Sequence, residues 1–87
     1  MLKKFRKKPI VIEAIQWDGC NLQEVMEGFP LISLKIGKNH YPQNISIETL
    51  EGKVRVSIGD WIVKGVSGEF YPVKPSIFKL TYEEVKE

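Results

Sequence analysis

From Ile45 to Ile58, apolar side chains fall at nearly every second position: Ile45 and Ile47, then Val54, Val56 and Ile58. Alternation with a period of two marks strands with one buried face. Glu51-Gly52 separates the two runs. Placed as a two-residue turn, it pairs Thr49 with Val54, Ile47 with Val56 and Ile45 with Ile58. Every apolar residue then shares one face, and the other sets Glu48 opposite Arg55 and Ser46 opposite Ser57. A slip of one residue would put Ile47 against Arg55 and split the apolar face.

The same reading extends to the rest of the chain. Pro9 to Trp17 forms a strand with apolar residues on both faces: Ile10, Ile12 and Ala14 on one, Val11, Ile15 and Trp17 on the other. Asp18-Gly19 turns the chain. Asn21 to Glu27 is the helix candidate, with Asn21 as cap, Glu24 completing a capping box, and Leu22, Val25 and Met26 on one face. Gly28 fits the left-handed residue that ends a helix, and Pro30 blocks continuation. Leu31 to Lys38 is a strand with Ile32, Leu34 and Ile36 inward. A turn-rich loop follows over 39–44.

Gly59-Asp60 is a corner, and Trp61 to Lys64 is the next strand. Gly65-Val66-Ser67-Gly68 turns it back into Glu69 to Val73, with Val63 against Phe70 and Lys64 against Glu69. Pro72 and Pro75 lack backbone donors, which places the returning strand at an edge. Pro75 to Tyr82 has room for one helical turn, with Ile77, Phe78 and Tyr82 closing an open end. The expected fold is α+β: a small, strongly bent antiparallel sheet or partly open barrel of about five to six strands, with one short helix packed on it.

Length allows one domain: 87 residues bury a single modest core. The net charge of +2 is unevenly spread. Lys3, Lys4, Arg6, Lys7 and Lys8 make residues 1–8 a basic arm. The body, 9–87, holds the other eight basic residues against all 11 acidic ones. An arm of this kind suits an anionic partner. Cys20 is the sole cysteine, which excludes an intrachain disulfide and agrees with a reducing compartment. Glu13 interrupts the apolar run after the arm, so it does not match a secretory signal. No stretch approaches the ~20 apolar residues of a membrane span, and the expected location is the cytoplasm.

Several landmarks resemble a group of small proteins encoded by tailed phages and prophages. They are the arm ending in Lys-Phe-Arg-Lys-Lys-Pro (residues 4–9), Ile12-Glu13-Ala14-Ile15-Gln16-Trp17, Thr49-Leu50-Glu51-Gly52, the corner Gly59-Asp60-Trp61-Ile62, and Gly65-Val66-Ser67-Gly68-Glu69-Phe70-Tyr71-Pro72 followed by Lys74-Pro75, Phe78 and Thr81-Tyr82-Glu83. The likeness spans almost the whole chain. It departs at Ile58, where the group often has Pro, and at Val73, where it often has Cys. It implies a phage or prophage origin, in the cytoplasm of a bacterial host. It implies no catalytic or binding residue.

The residue types oppose catalysis. One histidine, His40, and one thiol, Cys20, cannot make a multi-histidine or multi-thiolate metal site. A Cys20–His40 pair has no local support. Glu13 with Glu69 or Asp60 is better read as solvated or hydrogen-bonded carboxylate than as an acid/base pair. Gly59-Asp60 suits a corner in which the aspartate bonds nearby amides. Gly65-Val66-Ser67-Gly68 lacks the ending of a phosphate loop. No cofactor is expected.

The leading expectation is a non-enzymatic module that binds a host or phage protein. Its surface would be Trp61, Phe70, Tyr71, Lys74, Phe78 and Tyr82, together with the arm. A second reading is nucleic-acid binding, with Lys3, Lys4, Arg6, Lys7 and Lys8 on phosphates and Trp17, Tyr41, Trp61, Phe70 and Tyr71 as stacking faces. A third is sequestration of a small anionic ligand such as a nucleotide. A homodimer through an exposed edge strand is also open.

Overall fold

Two three-stranded antiparallel sheets, not one, build the protein. A computed structural model describes residues 1–37 and 45–86. In chain order the elements are β1 (Glu13–Gln16), α1 (Leu22–Gly28), β2 (Leu34–Ile36), β3 (Ile45–Thr49), β4 (Gly52–Val56), β5 (Trp61–Lys64), β6 (Phe70–Val73) and α2 (Pro75–Thr81). One sheet has the order β1-β5-β6 and the other β2-β3-β4. The fold is β-rich with two short helices, and the expected continuous sheet or partial barrel with a single helix is corrected. The expected loop over 39–44 lies outside the described residues.

The corner between β4 and β5 divides the sheets. Gly59 sits at φ +97°, a conformation that favours glycine. The Trp17 and Gly59 amides close the corner onto β1: Trp17 N–H donates to the Asp60 carbonyl at 2.8 Å, and Gly59 N–H to the Trp17 carbonyl at 2.6 Å. Ile58 sits in this turn and is 60% exposed, where strand pairing with Ile45 was expected.

The core lies between the two sheets and α1. Trp17, Val25, Phe29, Ile45, Ile47, Val56, Ile62 and Phe70 are buried in it, with Ile15, Leu22, Ile32 and Leu34 packed around them. Ile36, expected inward, is half exposed. The alternation of β3 and β4 does bury Ile45, Ile47 and Val56, but the register differs by two residues from expectation. Ile45 pairs with Val56, Ile47 with Val54 and Thr49 with Gly52, so Leu50-Glu51 is the turn. A shift of two keeps every side chain on its face, so alternation alone cannot choose between these registers. Thr49 chooses: its Oγ1 accepts from the Glu51 amide at 3.1 Å and donates to the Gly52 carbonyl at 2.8 Å. Gly52 meets the turn at φ +99°.

The second hairpin differs from expectation by one residue. Lys64 pairs with Phe70, Val63 with Tyr71 and Trp61 with Val73. Gly65 N–H donates to the Glu69 carbonyl and Gly68 N–H to the Gly65 carbonyl, so Gly65 faces Glu69 across a turn of Val66, Ser67 and Gly68. Phe70 thereby joins Ile62 on the core face and meets Phe29 with ring centroids 5.2 Å apart. β6 is an edge strand of its sheet, as Pro72 requires.

β1 is half its expected length because β5 offers only four residues to pair with. Residues 9–12 precede the sheet and have no ladder partner among the described residues. In α1, Asn21 does not cap through its side chain. Its amide instead donates to the Gln16 carbonyl and to Glu24 Oε1, and its Oδ1 accepts from the Asp18 amide, which ties the β1–α1 loop together. Gly28 is not a left-handed cap. It permits close approach: a Cβ there would lie 2.5 Å from Ile15 Cδ1. Met26, expected on the buried face, is half exposed.

Candidate functional site

The outer face of β1-β5-β6 carries a second apolar cluster. Register places Ala14, Val63 and Tyr71 side by side, with Trp61 and Val73 in the next row. Val63 is fully buried there. The cover is α2, which Pro75 starts at its first turn. Phe78 stacks on Trp61, with centroids 4.3 Å apart and planes 8° from parallel. Tyr82 packs against Phe78 with ring centroids 4.9 Å apart and planes tilted by 35°.

The arm reaches this cluster through one residue. Lys7 Nζ lies 5.0 Å from the centre of the Tyr82 ring and donates to its hydroxyl at 3.4 Å. Tyr82 also acts on the phenol of Tyr71. Burial pushes the Tyr71 phenol up to about 12, and Tyr82 and the charge of Glu69 add to the shift.

Between residues 9–12 and the segment after α2 runs a groove of about 760 Å³. One wall is Pro9, Ile10, Val11 and Ile12; the other is Thr81 to Val85; Ala14, Trp61 and Phe78 line the space between. Ile10, Val11 and Val85 are 52%, 75% and 62% exposed. Glu83 and Glu84 are the charged groups in the lining.

The expected interface residues divide. Trp61, Tyr71, Phe78 and Tyr82 form one cluster. Phe70 does not belong to it; the one-residue change in register turns it into the core. Lys74 serves the corner, with Nζ 3.6 Å from Asp60 Oδ1. Asp60 is buried and its Oδ2 accepts from the Ser57 amide at 3.0 Å, the structural role expected of it. In the arm, Lys3, Lys4, Arg6 and Lys8 are exposed and only Lys7 is docked.

Of the proposed stacking faces, Trp17 and Phe70 are core, and one face of Trp61 is covered by Phe78. Tyr41 and His40 lie outside the described residues, and with them the Cys20–His40 pair. Among the described residues no three His, Cys, Asp or Glu side chains gather as a metal site. No helix among them is long and apolar enough to cross a membrane.

Two features escaped sequence reading. Ile10 and Val11 resemble core residues in sequence, yet they wall the groove. On the outer face of β2-β3-β4, Lys35, Lys53 and Arg55 surround Ser46 in a concavity of about 400 Å³. Cross-strand register was the missing signal for both. The comparisons add no assignment: no family model, curated protein or solved structure matches the chain.

Proposed function

We propose that this is a non-enzymatic protein-binding module, a phage or prophage accessory protein, that takes an extended apolar segment of a partner protein into the groove. The supporting observation is the groove itself, which gathers the exposed side chains of Ile10, Val11 and Val85 beside Trp61 and Phe78. Wall residues 9–12 lead directly into β1, which pairs on one side with β5. A segment added along that edge gains main-chain hydrogen bonds, and side chains at alternate positions enter the groove. Glu83 and Glu84 favour a segment that also bears Lys or Arg. The same two carboxylates oppose a small anionic ligand here.

Panning a random peptide library on the protein tests this. The expected winners alternate apolar residues, include a basic one, and lose binding to the Val11→Glu variant. Absence of enrichment, or winners that bind Val11→Glu equally well, would overturn the reading. Sedimentation at rising concentration checks the competing occupant. A dimer that Val11→Glu dissolves would assign the groove to a second copy of the chain.

A further inference from the structure

We propose that the outer face of β2-β3-β4 is a nucleic-acid contact surface that binds the phosphate backbone of a single strand through Lys35, Lys53 and Arg55. This surface is separate from the groove and from the arm.

Register builds it. Lys35 pairs with Ser46 and Ser46 with Arg55, so these three residues form one row across the three strands. Lys53 lies two residues from Arg55 along β4 and therefore on the same face. Strand spacing puts the Cα atoms of Lys35 and Arg55 about 10 Å apart, with Lys53 about 7 Å from Arg55. The three cations line one concavity, with the Ser46 hydroxyl between them. Glu48 lies within the same face on the central strand, opposite Lys53, and offsets part of this charge.

Charge distribution makes this placement informative. The body after the arm holds eight basic residues against 11 acidic ones, yet three of the eight meet on this face. A surface so arranged attracts an anion against the mean charge of the body. Its shape selects the class of anion. The concavity is shallow and open, so a lone phosphate would remain largely hydrated there, whereas a strand engages several cations at once. No aromatic residue stands on this face among the described residues of the three strands. The contacts these side chains offer are to phosphates.

Fluorescence anisotropy with a labelled oligothymidylate of about 20 nucleotides tests the proposal. Binding should weaken with salt, with a log–log slope of about −2 for three phosphate contacts on a single strand. Combined Lys35→Ala, Lys53→Ala and Arg55→Ala should weaken it at least ~10-fold at low salt, and Glu48→Gln should strengthen it. All four side chains are solvent-exposed. Circular dichroism confirms that the variants fold. A second protein with Lys3, Lys4, Arg6 and Lys8 changed to Ala separates the arm from the sheet and should still respond to the triple change. Absence of binding, equal binding by the triple variant, or loss only in the arm variant would overturn the proposal. So would displacement by inorganic pyrophosphate at the same phosphate concentration as unlabelled oligonucleotide, which would assign the cations to a small ligand.

Discussion

Phe78 of α2 lies flat on Trp61 of β5, 4.3 Å between centroids, and this contact joins the last helix to the sheet. α2 has seven residues and none of them is fully buried. A helix so short does not persist in water without packing. Phe78→Ala should therefore do more than remove area. It should release α2 and open the groove wall that follows it. Phe78 is half-buried, so the expected loss is about 2 kcal/mol, below the range for a fully buried Phe. Urea unfolding measures the loss. Amide exchange should show α2 protection falling to the level of the termini, while β3 and β4 keep theirs at matched stability.

Tyr71 gives the outer cluster a signature in alkaline solution. Its phenol is held up to about 12, chiefly by burial, against an ordinary value of 10.0. The unfolded chain releases this proton first as pH rises. The contribution to stability is thus fully present below pH 10 and is lost as pH climbs through about 12. Absorbance titration of the phenolates should resolve one late tyrosine. Tyr82→Phe removes the Tyr82 hydroxyl, so the late step should move toward the ordinary value. A late step unchanged by Tyr82→Phe would remove Tyr82 as a cause.

The hairpin of β3 and β4 separates what the residue pattern decides from what it leaves open. Ile45, Ile47 and Val56 were legible as core because alternation specifies faces. Leu50-Glu51 was not legible as the turn, because a two-residue shift preserves those faces, and the Thr49 hydroxyl makes the choice locally. The corner at Gly59-Asp60 was legible because its chemistry is short-range. The groove was not: Ile10 and Val11 stand exposed because β5 ends before reaching them, a fact about another strand. The basic row was hidden for the same reason, since Lys35 meets Arg55 only through β3. A double-mutant cycle reads the register directly. Glu48 should couple to Lys53, its opposite neighbour, more strongly than to Arg55. The reverse order would restore a turn at Glu51-Gly52.

Gly28 tests how tightly α1 sits on β1. A methyl group at this position would lie 2.5 Å from Ile15 Cδ1, well inside contact distance. Gly→Ala within a helix ordinarily stabilises by about 1 kcal/mol. Here the propensity gain opposes a clash with a side chain packed against the core. Gly28→Ala should therefore give little or no gain, whereas in the Ile15→Val background, where Cδ1 is gone, it should stabilise by close to the full ~1 kcal/mol. Thermal unfolding of the four proteins in this cycle supplies the comparison. Equal effects in both backgrounds would mean that Ile15 moves aside at no cost.

Asp60 separates the structural reading of the corner from a catalytic one. Its carboxylate is buried, accepts the Ser57 amide and lies near the exposed Lys74 ammonium. Asp60→Ala leaves the Ser57 amide without its acceptor in a half-buried turn and should cost about 1–3 kcal/mol. Asp60→Asn keeps an acceptor oxygen and should cost less. Lys74→Ala should cost under ~1 kcal/mol, because its side chain is 62% exposed and water screens the pair. The expected order of stability loss is Ala at 60, then Asn at 60, then Ala at 74. This order requires the amide bond, and not the ion pair, to hold the turn. If Lys74→Ala matched Asp60→Ala, the ion pair would be the principal tie. If Asp60→Ala left stability unchanged, a buried carboxylate without a structural duty would remain, and the case for a reactive aspartate at this corner would reopen.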